Sequence, residues 1–292
     1  MQKNDGPMKI GVIGAGTMGS GIAHVFARSG FDVVLCESAA GAVDQAIVSI
    51  TRNLGREVNR GTITAEEQHA ALSRIQVTSS LESVFDPSIV IEAISEQFEA
   101  KRSLLKKLDT LLPPETLLAS NTSSISITKL AAVTSRPEKT IGMHFFNPVP
   151  MMALVEVVRG MQTSDETNQL VLSLVQQIGK SPVEVNDSAG FVSNRVLMPL
   201  LNEAMYVVME RVASAENVDT IFKIGMAHPM GPLTLADFIG LDICRDIMRV
   251  LVEETGDPKY RPCPLLLRMV DAGWLGRKSG RGFYTYSKVS NR

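Results

Sequence analysis

The sequence is poor in aromatic residues, with Phe, Trp and Tyr together at 5%, and holds three cysteines in 292 residues. Cys36, Cys244 and Cys263 are an odd, widely spaced set. That excludes a disulfide framework and a CxxC metal knuckle, and no metal is expected. Neither charge sign dominates, with 29 Lys and Arg against 31 Asp and Glu. This balance excludes the basic footprint of a nucleic-acid binder and an acidic solvating tail. No apolar run approaches the roughly 18 residues of a membrane span. The first ten residues, MQKNDGPMKI, lack the apolar segment of a secretory signal. The expected compartment is therefore a reducing cytoplasm, with neither nucleic acid nor membrane as partner. The chain is long enough to bury a sizeable core as one or two domains, and 45% of it is hydrophobic.

Strand and helix signals alternate along the first two thirds. KIGVI (9–13) and DVVLC (32–36) read as strands around a helix that Gly30 stops. A long helix over 39–60 ends at Gly61. A second starts at Thr64, with Glu67 three residues on in capping-box spacing. The two make a helical arm, 39–73. Strands follow at 75–78, 88–93, 116–120, 139–145, 152–160 and 182–185, with helices at 97–111 and 165–178 between them. This alternation predicts a mostly parallel, doubly wound sheet with helices on both faces. The short FFNPVP link makes 139–145 and 152–160 antiparallel, since a parallel return needs a dozen or more residues. After Asp187 the texture becomes helical: 190–211, 214–225, 232–239, 241–254 and 262–272, with a closing strand or extended tail at 283–287. The expected organisation is a Rossmann-like domain, 1–187, and an all-helical domain, 188–292.

Gly14-x-Gly16-x-x-Gly19 lies between a strand and a helix, and Thr17 and Met18 open that helix. The three glycines suit a tight turn, close approach of a pyrophosphate to backbone, and close helix–strand packing. The helix N-terminus offers N–H groups and positive dipole to phosphates. Glu37 ends the second strand 18 positions after Gly19. Its carboxylate can accept from ribose hydroxyls and would repel a 2′-phosphate, which favours NAD over NADP. A glycine-rich structural turn without a ligand is the alternative.

His144 ends one strand and Glu156 sits in the next, 12 positions on. Their midpoint is residue 150, inside the turn, so an antiparallel return places them opposite one another. Glu156 stands in Leu154-Val-Glu-Val-Val158, where a carboxylate needs a partner because burying a lone charge is expensive. A His–Glu pair of this kind is the base that oxidising a secondary alcohol requires near neutral pH. An edge-exposed Glu156 and a satisfied structural histidine are the alternatives. His24, His69 and His228 read as packing or surface residues. The cysteines have no His at a recognisable spacing, and no GxSxG elbow surrounds Ser123.

Three later stretches carry a resemblance: Ala119-Ser-Asn-Thr-Ser-Ser124, His144-Phe-Phe-Asn-Pro-Val-Pro150 and Gly190-Phe-Val-Ser-Asn-Arg195. With GAGTMGSGIA, and with MGPLTLADFIGLD (230–242) and GRKSGRGFY (276–284), the chain closely resembles the 3-hydroxyacyl-CoA dehydrogenases, especially the short bacterial 3-hydroxybutyryl-CoA enzymes. The resemblance implies NAD as cofactor, an acyl-CoA substrate and a helical C-terminal domain that forms a homodimer. It implies His144 as catalytic base and Glu156 as its partner, with Ser123 and Asn194 holding the substrate near the reacting carbon. Glu96 and Lys101 match nicotinamide-side and pyrophosphate-side contacts, and Asn121 lies in the cofactor cleft. The arm corresponds to one that helps bind CoA, with Arg52 and Arg56 where lysines are common. From the residues alone, Ser123 also fits a helix N-cap, Asn194 a helix-surface residue and Glu96 a first-turn acid. The stripe Arg52, Arg56, Arg60 also fits a solvated face. A dehydrogenase of a free hydroxy acid and a non-catalytic NAD-binding protein remain as competing functions.

Overall fold

The structure is a computed structural model that describes residues 8–286 apart from Ala40 and Phe85. Apolar, β-branched runs become the central strands, buried on both faces as a parallel sheet requires, while the two edge strands are largely exposed. The strands are β1 (Lys9–Ile13), β2 (Asp32–Cys36), β3 (Ile75–Thr78), β4 (Ile89–Glu92), β5 (Leu117–Ser120), β6 (Thr140–Phe145), β7 (Leu154–Arg159) and β8 (Ser181–Asn186). The helices of this part are α1 (Thr17–Arg28), α2 (Ala42–Asn59), α3 (Ala65–Ser73), α4 (Phe98–Leu111), α5 (Ile127–Ala131) and α6 (Asp165–Gln177).

The strands form one sheet in the order β3-β2-β1-β4-β5-β6-β7-β8. Every pair is parallel except β6 with β7. The chain reverses its progress across the sheet between β1 and β4, and the crevice outside the strand C-termini there is where open α/β sheets bind ligands. Ile22 and Phe26 of α1, Ile50 and Leu54 of α2, and Val171 and Leu174 of α6 pack one face. Leu104, Leu105 and Leu108 of α4 and Leu130 of α5 pack the other. The sequence-predicted doubly wound fold is thus present.

The arm forms as its signals demand. Thr64 Oγ1 accepts from the Glu67 N–H at 3.1 Å, and Glu67 returns the bond to the Thr64 N–H at 2.7 Å. The helix expected from residue 39 begins at Ala42, because Gly41 takes a left-handed φ of 76° and interrupts it.

The chain divides into two compact units, Met1–Ser188 and Ala189–Arg292. Asp187 belongs to the first. It accepts from Ser126 Oγ (2.7 Å) and from the N–H groups of Ile127 (3.1 Å) and Thr128 (2.8 Å), at the start of α5.

The second unit is built from α7 (Ser193–Met209), α8 (Ala215–Thr220), α9 (Pro232–Ile239), α10 (Leu241–Thr255) and α11 (Pro264–Asp271). Leu201, Met205, Leu233, Leu241, Met248 and Leu266 fill its core. Two buried aspartates organise the motif-rich stretches. Asp219 accepts from Leu233 N (2.8 Å), Thr234 Oγ1 (2.6 Å) and Tyr284 Oη (2.9 Å). Asp237 accepts from the N–H groups of Phe283 and Tyr284, each at 3.0 Å. Of the strand or extended tail expected over 283–287, no strand forms over the described residues 283–286: those N–H groups are spent on a side chain, leaving isolated bridges from Arg281 to Gly276 and Thr285. Ser287 lies outside the described residues. The helix expected over 214–225 is α8 followed by a π-helical turn, Ile221–Gly225.

Candidate active site

The turn between β1 and α1 has the shape of a phosphate cradle. Gly14 takes φ 102°, and a Cβ there would lie 2.6 Å from the Ala93 carbonyl oxygen. A Cβ on Gly19 would collide with the Gly14 carbonyl oxygen. These two glycines are required by packing. Gly16 differs: it has an extended backbone, and its added Cβ meets no atom within 4 Å. It is the N-cap of α1 and no side chain caps the helix, so Thr17 and Met18 begin an uncapped first turn. A dinucleotide pyrophosphate fits that arrangement. Glu37 stands beside it, Oε2 accepting from Ala15 N–H (3.1 Å) and Oε1 from Ala39 N–H (2.9 Å). Its carboxylate is thereby fixed to the glycine turn with acceptor capacity left for ribose hydroxyls.

Beyond the ends of β4 and β5 lies a second cluster. Glu92 is fully buried and meets Lys101 Nζ at 2.6 Å, Ser120 Oγ at 2.6 Å and Ile94 N–H at 2.8 Å. Lys101 is itself 1% exposed and also reaches Glu96 at 3.3 Å. Glu96 gathers the segment after β5: Thr122 Oγ1 donates at 2.6 Å, Ser123 N–H at 2.9 Å, Ser124 Oγ at 3.1 Å and Ser123 Oγ at 3.3 Å. Burial raises the Glu96 carboxyl, but Lys101 and these donors outweigh it and hold the carboxyl below the usual range. Ser123 is not the N-cap of the helix that follows it. That place belongs to Ser126, whose hydroxyl accepts from Lys129 N–H, so α5 starts three residues later. Glu96 precedes α4 rather than lying in its first turn.

Sequence reasoning missed Glu92, Thr122 and Ser124. For Glu92 the signal was present, since a carboxylate in the apolar run Ile89–Glu92 poses the question that Glu156 posed in its strand. Asn121 joins this cluster to β6, its Oδ1 accepting the Phe145 N–H at 3.0 Å.

His144 and Glu156 are register partners across β6 and β7. Their side chains lie on the same face, with His144 Nδ1 2.7 Å from Glu156 Oε2. Both are buried, at 8% and 3% exposure. The Phe146 ring lies against the imidazole at 4.7 Å between centroids.

The remaining expected residues are more dispersed. Arg52 and Arg56 are exposed on α2, and Arg60 is exposed just past its last residue. Asn194 is the second residue of α7 in the second unit, its N–H donating to the Gly190 carbonyl at 3.1 Å. Cys36 and Cys244 are buried, and burial pushes their thiols up to about 11 and about 12, which suits packing and not nucleophilic attack.

Residues 9–188 match the family model for the 3-hydroxyacyl-CoA dehydrogenase NAD-binding domain, and residues 190–286 match the C-terminal domain of the same family. The chain belongs to the 3-hydroxyacyl-CoA dehydrogenase family. A probable 3-hydroxybutyryl-CoA dehydrogenase of Bacillus subtilis is 53% identical over 97% of this chain and 99% of its own. One from Deinococcus radiodurans is 55% identical over 96% of this chain and all of its own. The crystal structure of (S)-3-hydroxybutyryl-CoA dehydrogenase from Ralstonia eutropha superposes with a TM-score of 0.94 at 49% identity, covering 97% of this chain and 100% of that one. The Rossmann unit of this family member is therefore an NAD-binding domain, and the glycine turn and Glu37 are the features in it that fit the dinucleotide.

Proposed function

We propose that the protein is an NAD-dependent oxidoreductase that interconverts a short-chain (3S)-3-hydroxyacyl-CoA, of the 3-hydroxybutyryl-CoA type, and its 3-oxoacyl-CoA. The observation that carries this reading is the buried His144–Glu156 pair, in a chain whose full-length relatives bear that name. Glu156 accepts from Nδ1–H, which sets the imidazole tautomer and leaves proton exchange with the substrate hydroxyl to Nε2. In oxidation His144 takes up the hydroxyl proton, and Glu156 stabilises the imidazolium. In reduction His144 returns the proton to the 3-oxygen. The nicotinamide, when bound, supplies the hydride chemistry. The backbone of Gly14, Gly16, Thr17, Met18 and Gly19 holds the pyrophosphate, and Glu37 the adenosine ribose. Asn121 and Glu96 line the cofactor side. Lys101, buried between two carboxylates, acts as a positioning residue through Glu96.

Ser123 and Asn194 orient the substrate oxygens, which fixes a reactive geometry. Arg52 and Arg56 meet the CoA phosphates. The exposed Val196 and Ile224 of the helical unit, at 64% and 80%, suit a homodimer contact, and a cytoplasmic location suits three free thiols. Light scattering after gel filtration tests the dimer: a monomeric mass contradicts it.

Steady-state kinetics with NADH or NADPH and 3-oxoacyl-CoAs of four to sixteen carbons tests the main reading, with free acetoacetate as control. The expected result is an NADH preference and the highest kcat/KM for acetoacetyl-CoA. Equal turnover of free acetoacetate would move the assignment to a hydroxy-acid dehydrogenase, and NADPH preference would overturn the role of Glu37.

A further inference from the structure

A cavity of about 660 Å³ opens in the first unit between the C-terminal end of α1, the tip and second helix of the arm, and the turn that follows β6. Its lining includes three cations, Arg28, Arg74 and Lys180, and one carboxylate, Glu67. Glu67 already accepts the Thr64 N–H in the capping box. Arg28 is engaged by Glu57, Nε to Oε2 at 3.2 Å. Arg74 makes one long bond, to the Ala27 carbonyl at 3.5 Å.

Lys180 is the unusual member. It is 8% exposed, and its ammonium donates to the carbonyls of Val149 (2.7 Å) and Met152 (2.6 Å). An ammonium has three N–H donors. Among the described residues the third has no acceptor, and no carboxylate lies within 4.0 Å of Lys180 or Arg74. A buried cation without a counter-ion is costly. Burial and then Arg28 lower the Lys180 pKa, while Glu57 opposes them. The glycine turn, Glu37 and the Arg52–Arg56 stripe contribute nothing to the lining.

We propose that this cavity binds a small phosphorylated anion through Arg74, Lys180 and Arg28, at a site separate from both the dinucleotide turn and the CoA-facing stripe. The anion supplies the charge that Lys180 lacks. It also bridges the arm to the turn leading out of the His144 strand, so its occupancy couples to both.

The test is calorimetric titration of the full-length protein, saturated with NAD so that the dinucleotide site is closed to the probe. Inorganic pyrophosphate and ADP are titrated separately. Pyrophosphate is expected to bind, with affinity falling as salt rises. Arg74→Ala and Lys180→Met should each weaken it about tenfold, and Arg56→Ala should leave it unchanged. Where Lys180→Met fails to fold, Arg74→Ala still decides, since it removes one long hydrogen bond from a partly buried side chain. Tighter binding of ADP than of pyrophosphate identifies the ligand as a nucleotide, and weaker or equal binding identifies a simple phosphate. No binding of either probe at millimolar concentration overturns the proposal, as does binding that Arg56→Ala abolishes and Arg74→Ala retains.

Discussion

Glu92 and Glu156 are buried carboxylates of this region and Glu96 a partly exposed one, and each is engaged by its own set of donors. Glu156 has His144, Glu96 has a hydroxyl-rich loop, and Glu92 has Lys101. Breaking a buried pair by removing one partner costs about 3–5 kcal/mol. Lys101→Met should therefore destabilise the protein by about that amount. Adding Glu92→Gln should recover much of the loss, as read by a denaturant double-mutant cycle. Purely additive effects would show the pair to be uncoupled.

A second residue-scale prediction concerns His24, buried in α1 with Nε2 3.1 Å from Glu57 Oε1. Burial, helped by Arg28 and Lys180, lowers its pKa from 6.5 to about 4. Between those values the unfolded chain binds a proton that the folded chain does not, so stability falls as pH drops from 6.5 to about 4. At 1.36 kcal/mol per unit the loss is at most about 3 kcal/mol. His24→Gln should flatten this acid limb of the Tm–pH curve, and an unchanged slope would assign the limb to other groups. Glu156 was legible in the sequence because a carboxylate in an apolar strand needs an explanation. Glu92 carried the same signal, and its partner Lys101 became visible only when α4 folded back over β4.

Among the elements, the β1–α1 turn separates glycines that packing requires from one whose added Cβ meets no protein atom within 4 Å. Gly19→Ala forces a Cβ into the Gly14 carbonyl and should lower Tm or prevent folding. Gly16→Ala finds no protein atom within 4 Å and keeps an ordinary backbone, so Tm should hold while NAD affinity falls about tenfold or more. Scanning calorimetry and NADH fluorescence titration separate the two outcomes. Loss of Tm in Gly16→Ala with NAD affinity intact would contradict this division. Strong periodic elements such as α1, α4 and α6 were legible to within a residue or two of their ends. Two readings that the sequence left open were decided by side chains that compete with the backbone. Ser126 displaced Ser123 as the cap of α5, and Asp237 took the N–H groups that a strand at 283–287 would have paired. The Asp237 contacts span 46 and 47 positions and leave no local trace in sequence.

In the molecule as a whole, strand–helix alternation and one short link sufficed for the sheet's direction pattern. They implied a single antiparallel pair, and with it the register that sets His144 against Glu156. The cavity behind the arm was not legible, because Arg28, Arg74 and Lys180 come from separate helices and loops that only tertiary packing assembles. The account stands on His144 and Glu156 as a proton-transfer pair serving an acyl-CoA substrate, and a positioned base contributes about 10²–10⁴-fold. The most direct test measures NADH oxidation by acetoacetyl-CoA in His144→Gln beside the wild type, with NADH affinity determined on both. The account predicts a loss of kcat within that range and an unchanged NADH Kd. Full turnover in the variant would contradict it.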